Sequence, residues 1–175
     1  YYIVKEILKR TLVRMLICCV IALLFCITGN AKVPYIPKII NYSVSDYKAG
    51  NQNWAVSQGP GGKMYIGNNR GLLVFDGIHW DLVKLPNNLG VRALYISKDG
   101  RIYVGSFEEF GYFEMDDEND LIYHSLSSSE MNVYLNNDEF WTINEYKGEI
   151  YFQSFRSFFI YDGEKVRKGV SDLSP

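Results

Sequence analysis

Short runs of apolar residues, separated by polar turn residues, follow one another over most of the chain. After residue 50 each run is rich in β-branched and aromatic residues and is bounded by Gly, Asn, Asp or Pro. This composition is typical of β-strands. No segment after residue 32 shows the spacing of an amphipathic helix. The pattern therefore predicts an all-β domain built from short strands.

Three of these runs are copies of one another. Each reads Gly, charged, apolar, Tyr, apolar, and the repeated tyrosines are Tyr65, Tyr103 and Tyr151. A short apolar run precedes each copy, and a second run that leads to an Asp follows it. The pairs Asp76-Gly77 and Asp162-Gly163 are typical of tight hairpin turns.

Four antiparallel strands in about 40 residues form one blade of a β-propeller. A β-sandwich also has many short strands, but it does not predict the repeated order of turns. We predict a partial β-propeller over residues 53–175, with blades at about 53–85, 92–127 and 139–170. Propellers close with about four to eight blades. We therefore expect these three to be the N-terminal part of a larger, seven-bladed ring.

An export signal is predicted at residues 1–31. The uncharged apolar run 15–27 is followed by the small residues Gly29 and Ala31. A basic segment precedes it, with Lys5, Lys9, Arg10 and Arg14. This order is typical of a cleaved signal peptide, and an uncleaved membrane anchor, which needs about 20 apolar residues, is the alternative. In both cases the remainder is exported, and we expect it at the periplasmic face of the inner membrane of a Gram-negative bacterium.

Residues 32–52 are predicted to be a lead-in segment. Within it, Tyr35–Tyr42 is interpreted as a strand that closes the ring by joining the last blade. Pro37 is acceptable there because an edge strand tolerates the missing N–H.

Charge and cysteine content limit the classes of function that the sequence allows. The 175 residues carry a net charge of −2, and the 144 residues after position 31, with 14 basic and 19 acidic side chains, carry −5. This balance does not favour nucleic-acid binding. All three cysteines lie within residues 1–31. The exported part therefore has neither disulfides nor thiol chemistry.

The repeat resembles a known family. Residues 62–77, with Gly62, Tyr65, Gly67, Gly71 and the Asp76-Gly77 pair, are similar to the two-component regulator propeller repeat. The resemblance covers about residues 33–170. The third copy departs from it, because Gln153 and Ser157 stand where the repeat has glycines.

The resemblance implies an extracytoplasmic, ligand-sensing segment of a Bacteroides-type signal-transduction or transcriptional regulator. Such regulators combine a propeller, a three-tyrosine domain, a membrane helix and a histidine kinase or helix-turn-helix output. The implied partners are further blades, the three-tyrosine domain, the inner membrane, a second copy and a small ligand such as a glycan. The resemblance assigns no catalytic residue to this segment.

Loops that enter the innermost strand of a blade, and loops between its second and third strands, emerge at the same end of the blade. Amides, carboxylates and arginines in these loops could bind a polar ligand. Polar loops that merely face water are the alternative. The candidate ligand-binding residues are Asn53, Asn69, Arg70, Arg92, Glu108, Glu109, Asp138, Glu139 and Arg156.

Two other functions stay open. Glu108, Glu109, Asp138 and Glu139 could supply the acid and base of a propeller glycoside hydrolase or lyase if two of them lie about 5–10 Å apart. The segment could also be a passive surface scaffold. We expect no cofactor and no metal site, because the acidic run 116–120 lacks the glycine and glutamate of a calcium loop.

Overall fold

The computed structural model describes residues 2–27 and 37–169, with the backbone alone at 22–27 and at position 132. Residues 1–40 and 41–175 form two separate units. In the first unit, helix α1 (Tyr2–Ile27) covers the basic segment and the apolar run. Among the described residues no helix is long and apolar enough to span a membrane. The export signal stays a prediction.

Three four-stranded antiparallel sheets make up the second unit, and in each the strands follow chain order. The strands of blade 1 are β1 (Asn53–Gln58), β2 (Met64–Asn68), β3 (Gly71–Phe75) and β4 (Trp80–Val83). Those of blade 2 are β5 (Ala93–Ile96), β6 (Ile102–Gly105), β7 (Phe110–Met115) and β8 (Leu121–Ser125). Those of blade 3 are β9 (Phe140–Tyr146), β10 (Glu149–Ser154), β11 (Phe158–Tyr161) and β12 (Val166–Lys168).

Two single helical turns, α2 (Val44–Tyr47) and α3 (Asn132–Leu135), lie outside the sheets of this unit. They do not change the all-β class that the strand pattern predicts. Three sheets of this topology confirm the predicted propeller blades.

Each pair of neighbouring blades encloses its own hydrophobic core. Between blades 1 and 2 the core includes Tyr65, Leu72 and Phe113. Between blades 2 and 3 it is dominated by phenylalanine, with Phe110, Phe140, Phe152 and Phe159 all buried. Burying one such side chain stabilises the fold by about 1.5–3 kcal/mol, so contacts between the blades are a main source of stability.

A glycine two positions after the repeat tyrosines Tyr65 and Tyr103 permits close packing of the blades. A Cβ on Gly67 would lie 2.9 Å from the Val91 carbonyl oxygen, and one on Gly105 would lie 2.7 Å from the Phe140 Cβ. Both contacts are made with the segment that enters the next blade. A side chain at either glycine would therefore push two blades apart.

Part of the lead-in segment covers the free face of blade 1. The side chains of Tyr47 and Ala49 are buried against Ile66 and Leu73, and the Tyr47 ring lies 5.6 Å from that of Trp80. Of the strand predicted over Tyr35–Tyr42, residues 35 and 36 lie outside the described residues, and residues 37–42 form no strand. Ring closure through this segment stays a prediction.

A buried polar residue lies three positions after each repeat tyrosine, and its side chain links two loops by hydrogen bonds. The Asn68 side chain bonds both backbone groups of Gly50, at 2.9 and 2.7 Å. Ser106 Oγ donates to the Gly90 carbonyl, and Ser154 Oγ donates to the Asp138 carboxylate. These bonds fix the loops that carry the candidate residues.

Candidate functional site

Loops from all three blades meet at the end of the sheets where the innermost strands β1, β5 and β9 begin. Arg92 is the last residue before β5, and Glu139 is the last before β9. Asn69 lies in the turn between β2 and β3. The antiparallel register puts these positions at one end of their blades, as the sequence predicts.

Arg92 connects blade 2 to both of its neighbours. Its Nε donates to Glu139 Oε1 at 2.7 Å, and its Nη1 donates to Asn69 Oδ1, also at 2.7 Å. The side chains of Arg92 and Glu139 are each 23% exposed. A charge-assisted hydrogen bond that is partly shielded from water is stronger than one on an open surface. The interaction therefore joins three blades at one point.

Tryptophan completes this cluster. The Arg92 guanidinium lies over the Trp54 ring, 4.6 Å from its centroid, and Trp54 Nε1 donates to Asn69 Oδ1 at 2.6 Å. The Trp54 side chain remains 41% exposed. We call Trp54, Asn69, Arg92 and Glu139 the three-blade cluster.

Irregular strand geometry positions two of the tryptophans. The pairing of β1 with β2 skips Trp54, and that of β9 with β10 skips Trp141. A β-bulge of this kind redirects the side chain of the extra residue. The two indole rings meet edge to face at 5.6 Å, and Phe155, itself 79% exposed, lies 5.6 Å beyond Trp141. An aromatic surface therefore adjoins the three-blade cluster.

Trp54 packs against residues of both other blades, and its hydrogen bond to Asn69 also makes it part of a polar cluster, a role that the sequence analysis missed. The sequence places both tryptophans close to candidate residues, because Trp54 directly follows Asn53 and Trp141 comes two residues after Glu139. This spacing could have indicated that they belong to the same site. The role of Asn68, Ser106 and Ser154 in linking the loops was also missed. Their constant spacing from the repeat tyrosine could have identified them.

Four other candidate residues take part in internal bonding. Asn53 accepts a hydrogen bond from Asn68 Nδ2 at 2.7 Å. The Glu109 carboxylate accepts bonds from Tyr123, Ser125 and Ser127 at 2.7–2.8 Å. Burial and the neighbouring Glu109 carboxylate raise the pKa of Tyr123. These bonds hold the start of β7 against β8.

Asp138 is 3% exposed and accepts bonds from Ser154 and from the backbone N–H of Glu139. Glu108 accepts a bond from the Asn137 N–H, and its own N–H donates to the Asp138 carbonyl at 2.9 Å. Both carboxylates therefore order the loop that delivers Glu139.

The remaining two candidates, Arg70 and Arg156, are exposed. No hydrogen bond or ion pair of either guanidinium occurs within residues 37–169. Arg156 lines a cavity of about 420 Å³ beside blade 3, together with Tyr151, Gln153 and Phe155. Within the described part of the chain, no group of His, Cys, Asp and Glu side chains is arranged to bind a metal ion.

No protein-family model matches the chain. No curated protein matches it either. Solved structures do match. The extracellular domain of a one-component system from Bacteroides thetaiotaomicron superposes with a TM-score of 0.61 at 12% identity, over 77% of this chain and 19% of that one.

The extracellular domain of a hybrid two-component system from the same species gives a TM-score of 0.53 at 20% identity, over 78% of this chain and 18% of that one. Virginiamycin B lyase from Staphylococcus aureus gives 0.53 at 16% identity, over 70% of this chain and 42% of the lyase. The described strands are propeller blades. The chain spans less than a fifth of the length of either Bacteroides domain.

Proposed function

We propose that this segment is the exported, ligand-sensing propeller portion of a bacterial signal-transduction or transcriptional regulator. The likeness of its fold to two extracellular domains of such systems supports this assignment. The repeat motif around Tyr65 supports it independently, because it resembles the propeller repeat of regulators. The export signal predicted at residues 1–31 agrees with a location at the periplasmic face of the inner membrane.

The three-blade cluster is the observation on which the ligand site rests. Its guanidinium, carboxylate and amide can exchange their mutual hydrogen bonds for bonds to a polar ligand. The exposed face of Trp54 can stack on a flat, apolar ring face. Saccharides combine such a face with a rim of hydroxyl groups, so a glycan is the ligand class that this combination fits.

Sensing would follow from the position of Arg92 between three blades. A ligand that bonds Glu139 or Asn69 competes with Arg92 and changes the free energy of the contacts between the blades. A ligand can shift a conformational equilibrium only by its difference in affinity for the two states. We expect the bound arrangement to be transmitted through further blades and a three-tyrosine domain to a membrane-spanning output, in a dimer.

A thermal-shift screen of the purified chain against glycan fragments tests the site. We expect a saccharide that raises the melting temperature, and we expect Trp54→Ala and Arg92→Gln each to abolish that rise. Lys98→Gln is the control, since Lys98 is exposed and lies in the turn between β5 and β6, at the opposite end of the sheets from the cluster. A ligand-dependent rise that survives both cluster substitutions would contradict this site.

We further propose that the segment binds its ligand without transforming it. The alternative is a propeller glycoside hydrolase or lyase that uses two carboxylates of these loops. Incubation of the protein with the saccharide found in the screen, followed by mass spectrometry, separates the two. Recovery of unchanged saccharide supports sensing, whereas products that disappear in Glu139→Gln would establish the enzyme.

A further inference from the structure

The amide of Asn69 is a feature of blade 1 alone among the three described blades. Asn69 lies four positions after the repeat tyrosine Tyr65, in the turn between β2 and β3. The same position holds Phe107 in blade 2 and Phe155 in blade 3, and both of these rings are exposed. A position that the blade architecture requires carries the same kind of side chain in each copy. The amide therefore serves the three-blade cluster rather than the fold of the blade.

Two hydrogen-bond donors meet at one atom of this amide. Trp54 Nε1 and Arg92 Nη1 lie 2.6 and 2.7 Å from Asn69 Oδ1. An indole and a guanidinium have N–H groups to donate but no acceptor, so the amide must turn its oxygen towards them. The opposite orientation would place an NH₂ group against two donors. The two orientations have nearly the same shape, so hydrogen-bond partners rather than packing must select between them.

Gln52 bonds the other side of the amide. Its Oε1 accepts a hydrogen bond from Asn69 Nδ2 at 2.6 Å, and its backbone carbonyl accepts one from the Asn69 N–H at 3.1 Å. Gln52 directly precedes β1, and the pairing of Asn53 with Asn68 brings it beside the turn that carries Asn69. One residue therefore holds Asn69 at two points, and its side chain supplies the acceptor that the correct orientation needs.

We propose that Gln52 is a positioning residue, which holds the amide oxygen of Asn69 towards the two donors. In this orientation Asn69 and Glu139 both present oxygen acceptors to the site. A ligand that displaces Arg92 from these acceptors must then offer donors of its own. Hydroxyl groups meet this requirement, whereas a carboxylate or an ether oxygen has no hydrogen to donate. Gln52 thereby favours ligands that are rich in hydroxyl groups.

The indole N–H signals in NMR spectra of the isotope-labelled chain test the position of the amide without any ligand. The three tryptophans give three signals, and Trp54→Phe assigns that of Trp54. Trp80 Nε1 and Trp141 Nε1 are buried and have no hydrogen-bond partner within the part of the chain that the structure describes. Their signals therefore serve as internal references. The hydrogen bond to Asn69 Oδ1 should place the Trp54 signal downfield of both.

Two substitutions of similar length change the polarity of residue 52. The carboxylate in Gln52→Glu only accepts hydrogen bonds, and the ammonium group in Gln52→Lys only donates them. We expect the Trp54 signal to keep its place in Gln52→Glu and to move upfield in Gln52→Lys, because the lysine competes for Asn69 Oδ1. Asn51→Lys is the matched control for the added charge, since Asn51 is exposed and its side chain makes no hydrogen bond within residues 37–169.

Equal shifts of the Trp54 signal in Gln52→Lys and Asn51→Lys overturn the proposal, and so does an upfield shift in Gln52→Glu. The dispersed spectrum itself reports that each variant is folded. These results do not depend on the sensing function proposed above, whereas the part of Gln52 in ligand binding rests on it.

The thermal-shift screen with glycan fragments tests that part. A fragment that raises the melting temperature of the wild type should also raise that of Gln52→Glu and Asn51→Lys, and the rise should be lost in Gln52→Lys. A rise that persists in Gln52→Lys removes Gln52 from the ligand site. If no fragment raises the melting temperature of the wild type, the sensing function is contradicted, and the indole signals still decide whether Gln52 positions the amide.

Discussion

At the scale of single residues, the repeat glycines decide how closely two blades approach. In Gly105→Ala the new Cβ would lie 2.7 Å from the Cβ of Phe140 and 3.3 Å from its carbonyl oxygen. Neither contact can be relieved by rotating a flexible side chain, so strand β9 must move. We expect the free energy of unfolding to fall by about 1–3 kcal/mol, as measured by urea denaturation followed by tryptophan fluorescence.

The third repeat supplies a matched control for this substitution. Gln153 occupies the corresponding position on β10 and is exposed, so Gln153→Ala should change the free energy of unfolding by no more than about 0.5 kcal/mol. If Gly105→Ala lowers the free energy of unfolding no more than Gln153→Ala does, the close approach of blades 2 and 3 does not contribute to stability.

The sequence predicts the repeat glycine as a motif position, whereas the reason for it lies in the neighbouring blade. Gly105 and Phe140 are 35 positions apart, and no local pattern connects them. The three-blade cluster likewise joins residues that are far apart in the sequence. Its residues Asn69, Arg92 and Glu139 were predicted because the topology places their loops at one end. Which of the nine candidates bond one another depends on side-chain geometry that strand alternation does not specify.

At the scale of the element, the turns between the third and fourth strands rely on an aspartate. Asp76 Oδ1 accepts hydrogen bonds from the N–H groups of His79 and Ile78, at 2.6 and 2.7 Å, and these bonds lower its pKa to about 2. Asp162 repeats the arrangement in blade 3 with Lys165 and Glu164. This element was well predicted, since Asp-Gly in a tight turn is a local signal.

A depressed pKa in the folded state makes the stability of the turn depend on pH. The ordinary pKa is 3.8, and that of Asp76 in the fold is about 2. The ionised carboxylate therefore stabilises the fold fully above about pH 4, and this contribution is lost as the pH falls through about 2. We expect the melting temperature of the wild type to fall more steeply from pH 5 to pH 2 than that of Asp76→Asn.

The asparagine variant retains an oxygen acceptor but cannot ionise, and Asp76→Ala removes the acceptor as well. The alanine variant should therefore melt below the asparagine variant already at pH 7. Identical pH profiles for the wild type and Asp76→Asn would exclude a role for this carboxylate in acid unfolding.

At the scale of the whole molecule, three blades leave two flanks without a neighbouring blade. On the flank of blade 1 the side chain of Val56 is 65% exposed, although the lead-in segment covers Leu73 beside it. Blade surfaces of this kind are normally buried against the next repeat, and exposed apolar patches favour association. We expect the isolated chain to self-associate as its concentration rises, which sedimentation velocity would detect as an increasing sedimentation coefficient.

A lysine on the open flank should oppose this association. Val56→Lys should shift the weight-average mass towards the monomer at a given concentration, because stacking of two flanks would bury the new charge. Ile78→Lys is the matched control, since Ile78 is 79% exposed but lies in the turn between β3 and β4. An equal effect of both lysines would indicate non-specific charge repulsion. A wild-type chain that stays monomeric at every concentration would mean that the flanks are stable in water, and that the three described blades need no further blade to protect them.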